Sequence, residues 1–148
     1  MSSPAPLTVA EYFAGIGLMR IGLDQGGWET IFANDIDEKK REMYCHHFGP
    51  SPEFILGDVH ALEQSTIPST TLATASFPCN DLSLAGARRG LAGEHSSAFW
   101  GFIGILKGMG ARRPPLILLE NVTGFLSSNG GADFHEALLA VNQLGYSG

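Results

Sequence analysis

Two side chains carry the most pointed chemistry in this sequence. Cys79 follows the apolar run Leu72 to Phe77, and Glu120 follows the run Leu116 to Leu119. A cysteine thiolate is a nucleophile and a carboxyl is a proton donor or acceptor, so the pair suits covalent attack on a small ring with proton delivery alongside. Cys79 comes directly after Pro78, and Arg88 and Arg89 lie in the stretch that follows. A nearby cation would favour the thiolate. Taken alone, a single cysteine is better explained as a small inert core residue. Its surroundings argue for reactivity. A carboxyl at the end of a buried apolar strand should hold its proton more tightly than usual and could serve as an acid near neutral pH. Cys45, between Tyr44 and His46, reads as helix packing. His46 and His47 are adjacent, so they point to different helix faces and make a poor metal pair.

A second set of residues fits binding better than reaction. Gly15 and Gly17 would allow a tight turn and close approach of a ligand to backbone N–H groups at a helix N-terminus. An acidic residue about 20 positions further on suits a ribose diol, and Asp35 stands at that spacing from Gly15. The dinucleotide fingerprint asks for a third glycine where this chain has Arg20, which argues against a nicotinamide or flavin ligand. Plainer readings also exist: the glycines as an ordinary strand-to-helix connection, Asp35 as the cap of the next helix.

For these residues to meet, the chain must fold so that they share one rim. Apolar runs alternate with helix-like stretches, the pattern of consecutive βα units building a parallel sheet. Strands are expected at Val9 to Phe13, Thr30 to Ala33, Phe54 to Leu56, Leu72 to Phe77 and Leu116 to Leu119, the last as a buried strand. Helices are expected at Leu18 to Gln25, closed by Gly26-Gly27; Asp37 to Phe48, with Met43, Tyr44 and Phe48 on its apolar side; Phe99 to Met109; and Asp133 to Leu144. Pro78 to Ser97 lacks clean periodicity and reads as a long loop. In such sheets ligands bind beyond the carboxyl ends of the strands, where strand order reverses. Gly15 and Gly17, Asp35, Asp58, Cys79, and Glu120 with Asn121 each fall at one strand end. Adjacent strands are about 4.8 Å apart, so Cys79 and Glu120 could touch one small ring.

Composition bounds the possibilities. The 148 residues are 44% hydrophobic and 16% charged, which suits one domain with a real core. No apolar run approaches the roughly 20 residues of a membrane span, and Met1 to Pro6 lacks a signal-peptide pattern, so an intracellular, cytoplasmic setting is expected. Two cysteines without CxxC or Cys/His spacing suggest neither a disulfide framework nor a metal site. The formal charge of −6 has the wrong sign for a surface that grips phosphates. If DNA is the ligand, most of the grip lies elsewhere.

Over nearly its whole length the chain resembles the cytosine-C5 DNA methyltransferases of restriction–modification systems and epigenetic marking. Phe13-Ala14-Gly15-Ile16-Gly17 is similar to the family motif that binds S-adenosylmethionine. Asp35, with Ile36 beside it, stands where an acidic residue holds the cofactor ribose, and Gly57-Asp58-Val59 where an aspartate contacts the adenine amino group. Phe77-Pro78-Cys79-Asn80-Asp81-Leu82-Ser83 resembles the nucleophile motif, with Phe77 also beside the cofactor, and Glu120-Asn121-Val122 resembles the motif bearing the acid. The resemblance implies a Rossmann-like α/β methyltransferase fold and transfer of a methyl group from S-adenosylmethionine to C5 of a flipped cytosine in double-stranded DNA, leaving S-adenosylhomocysteine. Cys79 would attack, Glu120 would protonate or hydrogen bond the ring, and Asn121 would position Pro78 and its loop.

The chain departs from the pattern at Asn80 (usually glutamine), Leu18 (often glycine) and His95 (often arginine), none a reacting group. The family normally continues beyond a point equivalent to Gly148, through an arginine-bearing motif, further strands, a target-recognition domain and a closing C-terminal helix. Residues 1–148 are therefore expected to be part of a catalytic domain, with strand five an exposed apolar edge and a second subunit or the missing C-terminal half as partner. The alternatives are a non-catalytic binding subunit of the same fold and a tRNA cytosine-C5 methyltransferase.

Overall fold

The computed structural model describes residues 4–78 and 97–148. In chain order its elements are β1 (Thr8–Tyr12), α1 (Leu18–Gln25), β2 (Glu29–Asp35), α2 (Glu38–Phe48), β3 (Phe54–Leu56), β4 (Leu72–Ala75), α3 (Ala98–Met109), β5 (Leu116–Leu119) and α4 (Ala132–Gln143). Short 3₁₀ turns at Val59–Ala61, Gln64–Thr66, Gly110–Arg112 and Thr123–Gly131 were not expected from the sequence. They lack any repeating apolar pattern that would reveal them.

The strands form one sheet in the order β3-β2-β1-β4-β5, and every neighbouring pair is parallel. Strand order therefore reverses between β1 and β4, which opens a crevice at their carboxyl ends. One face of the sheet carries Ala10, Tyr12, Phe32, Ala73 and Ala75 under Phe102, Ile105, Leu106 and Met109 of α3. The other face packs Ala33, Tyr44 and Phe54 together with Phe48. Helices thus cover both faces, as the alternating βα pattern predicts.

α3 explains most of the stability on its side. Ser97 caps it by accepting the Trp100 N–H, and Phe99, Trp100, Phe102, Ile103, Ile105, Leu106 and Met109 are all buried. At about 1.5–3 kcal/mol per buried large side chain, this helix contributes a large share of the hydrophobic gain. Apolar residues lie nearly all round it because Phe99, Trp100 and Ile103 also pack against Ala137 and Ala140 of α4. Gly101 is required where α3 passes the 59–61 turn, since a Cβ there would come within 2.6 Å of Val59 Cγ1.

Three expectations are corrected. Met43 is 57% exposed while Tyr44 is fully buried, so the inward face of α2 is Tyr44 and Phe48, spaced one turn apart, and Met43 falls outside it. β5 is not a buried strand: Leu116 and Leu118 are 52% and 42% exposed, while Ile117 and Leu119 point into the core. It is the edge of the sheet among the described residues, and only one of its faces is packed. β2 runs on through Asn34 and Asp35, whose polar side chains masked its length.

Candidate functional site

The turn after β1 is built from an unusual backbone. Phe13 has φ of +55°, Gly15 +57° and Gly17 +89°. A bulky residue in the left-handed region is strained and persists only where its surroundings impose it. Here the Ala14 N–H donates to the Asn34 carbonyl at 3.0 Å, and the Gly17 N–H to the Ala14 carbonyl at 3.0 Å. The two glycines serve different ends. Around Gly15 a Cβ would meet nothing within 4 Å, so the backbone lies open, as a ligand would need. At Gly17 a Cβ would fall 2.3 Å from Phe48 Cε2, so that glycine is dictated by packing.

Asp35 lies at the end of β2 and faces this turn. Its Oδ2 accepts the Gly15 N–H at 2.9 Å and its Oδ1 the Asp37 N–H at 3.0 Å. Each carboxylate oxygen keeps a further lone pair for a hydroxyl. The cap of α2 is Asp37, which accepts the N–H groups of Lys39 and Lys40, and not Asp35. Asn34, buried beneath, donates to the carbonyls of Ile55 at 2.8 Å and Gly57 at 3.0 Å, fastening β2 to the end of β3. Asp58 then caps the 59–61 turn through the His60 N–H at 2.8 Å.

These residues enclose a cavity of about 430 Å³ lined by Phe13, Asp35, Ile36, Asp58, Val59 and Pro78, among others. A larger one, about 720 Å³, opens over α3 between Gln64 and Gln143 and contains neither the turn nor Asp35. The smaller cavity is the better candidate because it lies at the switch point and gathers the carboxylates. Ile36 is 67% exposed on its flank, an apolar surface suited to a flat ring. Of the residues tied to the cofactor by resemblance, Ala14 is packed with Ala33 and Tyr44, and Ile16 is half-buried beside the open Gly15. Phe77 is buried, its ring packed 5.2 Å from Phe99 and 5.4 Å from Phe125, between Ser76 and Pro78, which line the cavity.

The second rim joins β4 to β5. Ala75 lies opposite Leu119 in register, and the Glu120 N–H donates to the Ala75 carbonyl at 3.1 Å. Asn121 Nδ2 donates to the Phe77 carbonyl at 3.0 Å while its Oδ1 accepts the Val122 N–H at 2.8 Å. Asn121 thus clamps the peptide leading into Pro78. Glu120 itself is exposed, so the burial expected at this strand end is absent among the described residues. Cys79, Arg88 and Arg89, and the departures Asn80 and His95, lie outside the described residues.

The buried position of Glu11 and the contacts of Arg20 escaped the sequence reading. Glu11 is 2% exposed in the middle of β1, and burial pushes its carboxyl up to about 7, against the opposing pull of Arg20. Its signal was one charge inside an apolar run. Arg20 donates to Tyr44 Oη at 2.9 Å and Glu53 Oε1 at 3.1 Å, a bridge between distant segments that spacing alone does not reveal.

Residues 7–148 match the family described as C-5 cytosine-specific DNA methylase. The chain belongs to that family. Among curated family members it is 34% identical over 137 residues to Type II methyltransferase M.HaeII of Haemophilus aegyptius, and 32% identical over 137 residues to Type II methyltransferase M.NgoBI of Neisseria gonorrhoeae. Each alignment covers 93% of this chain and 41% of the relative, so the chain spans about two fifths of the length of these methylases. The fold matches the crystal structure of the S. pombe Dnmt2 methyltransferase with a TM-score of 0.67 at 24% identity, over 91% of this chain and 40% of that one. The Entamoeba histolytica methyltransferase EhMeth gives 0.69 at 19% identity, over 94% and 44%. The architecture is the Rossmann-like methyltransferase fold. Among the described residues no helix is long and apolar enough to cross a membrane, and no His/Cys/Asp/Glu group could hold a metal.

Proposed function

We propose that this chain forms the methyl-donor pocket and supplies the nucleophile of a DNA cytosine-C5 methyltransferase. It acts together with a region equivalent to the remaining length of its relatives, either on the same polypeptide or on a second subunit. The observation that carries this reading is the clamp from Asn121 to the Phe77 carbonyl. It ties the strand end bearing Glu120 to the peptide two residues before Cys79, on the rim of the cavity that holds Asp35 and Asp58. The residues present fit S-adenosylmethionine: open backbone at Gly15, a preset carboxylate at Asp35, an apolar flank at Ile36 and a second carboxylate at Asp58.

In this mechanism Asp35 receives the ribose hydroxyls and Asp58 the adenine amino group. When bound, S-adenosylmethionine supplies an electrophilic methyl group. The Cys79 thiolate adds to C6 of a cytosine turned out of double-stranded DNA while Glu120 donates a proton or hydrogen bond at N3, so C5 gains electron density without free charge in the ring. C5 accepts the methyl group, then loses its proton to a base as the Cys79–C6 bond breaks and the thiolate departs. The net charge of −6 supports a reading in which the partner region supplies most of the phosphate grip.

Trapping tests the reading. The chain, combined with its partner region, is expected to form a denaturation-resistant adduct with 5-fluorocytosine DNA in the presence of S-adenosylmethionine, because fluorine blocks the final proton loss. No adduct, or one that survives Cys79→Ser, defeats the mechanism. Methyl transfer to DNA and to tRNA, measured side by side, is expected to favour DNA.

A further inference from the structure

Where a dinucleotide-binding fold places its third glycine for close helix packing, this chain has Arg20. The guanidinium does not extend into water: its side chain is 18% exposed and its carbon lies 4.1 Å from the Phe48 ring centroid and 5.4 Å from that of Tyr44. It also bonds Tyr44 Oη and Glu53 Oε1 and pairs with Asp24 at 3.5 Å. One side chain therefore joins α1 to α2 and to the approach to β3.

α1 needs such a tie. It has eight residues, none fully buried, and its cap Gly17 offers no side chain. A helix of that length is marginal without tertiary support. Phe48, on which Arg20 stacks, is also the ring that fills the place of a Gly17 Cβ. The turn is thus held at the front by Asp35 through Gly15 and at the back by the Arg20–Phe48 stack through Gly17. We propose that Arg20 is a positioning residue for methyl-donor capture, fixing through Phe48, Tyr44 and Glu53 the height at which the Gly15–Gly17 turn meets the ligand. This rests on the donor reading of the cavity.

Calorimetric titration of S-adenosylhomocysteine into the chain combined with its partner region provides the test. Arg20→Met and Arg20→Lys are each expected to weaken binding about tenfold, since lysine keeps the charge but loses the flat stack and the two-pronged donor. Met109→Ala, in the core on the other sheet face, serves as a destabilised control and is expected to leave affinity within about twofold. Unchanged affinity in Arg20→Lys, or equal weakening by Met109→Ala, overturns the proposal. If Arg20→Met does not fold, Arg20→Lys and Phe48→Leu decide it, both being expected to bind more weakly than the parent. No binding by the parent chain with its partner region supplied is a separate result: it removes the donor reading, and this inference with it.

Discussion

The two halves of the sheet are held together by different means. Around β1, β2 and β3, polar side chains bond to backbone across the rim: Asn34 to Ile55 and Gly57, Asp35 to Gly15 and Asp37, Asp58 to His60. Between the ends of β4 and β5, one side-chain bond does this among the described residues, from Asn121 to Phe77. The outer face of β5 meanwhile leaves Leu116 and Leu118 exposed. The rim proposed to bind the donor is fastened by several side-chain bonds, whereas the rim proposed to react is held, among the described residues, by strand pairing and a single amide. Ligand recognition and reaction should then be separable by mutation.

The strongest way to break this contrast is Glu120→Gln, tested with the partner region supplied. Methyl transfer is expected to fall about a thousandfold, in the range for loss of an acid–base group, with S-adenosylhomocysteine affinity unchanged. A matching loss of affinity would show that the halves are not independent. Next in size is Glu11→Gln, which probes the buried β1 carboxyl. Its folded value of about 7 lies above the ordinary 4.5, so the folded chain binds the extra proton between those values. Its stabilising effect is complete below about pH 4.5 and is lost as pH rises through about 7, a swing of about 3 kcal/mol at most. Urea unfolding from pH 4.5 to 8 should show that decline in the parent and not in the glutamine variant.

Asn121→Ala sharpens the comparison on the reacting side. It removes the hydrogen bond to Phe77 and the local one from Val122, each worth about 1 kcal/mol, and should lower kcat about tenfold while donor affinity holds. The smallest effect is expected from Leu118→Thr on the exposed face of β5. Thermal stability should change by about 0.5 kcal/mol or less. Sedimentation of the concentrated chain should show weaker self-association, because the edge is less apolar.

Much of this was legible in the sequence wherever glycine or proline punctuates an apolar run. α1 ends at Gly26, β3 begins after Ser51-Pro52, and β5 follows Pro114-Pro115, and all three have their expected bounds. β2 was read short because Asn34 and Asp35 look like loop residues yet bond within the rim. That Asp35 stands at a strand end facing the Gly15 turn was legible from its spacing to Gly15. That its carboxylate also fastens the turn was not, since such a bond joins residues that meet only after the sheet forms. Gly17 and Phe77 show the limit from the other side. Both belong to binding motifs by resemblance, yet their neighbours are Phe48 for one and Phe99 with Phe125 for the other. Linear order does not distinguish a residue that touches a ligand from one that supports its neighbour.

The Asp35 carboxylate has a thermodynamic consequence. With two backbone N–H groups directing its oxygens, its side-chain rotation is spent when the chain folds and not when a ligand arrives. A hydroxyl-bearing guest therefore meets an acceptor already oriented, and its capture carries no rotamer-ordering penalty at that contact.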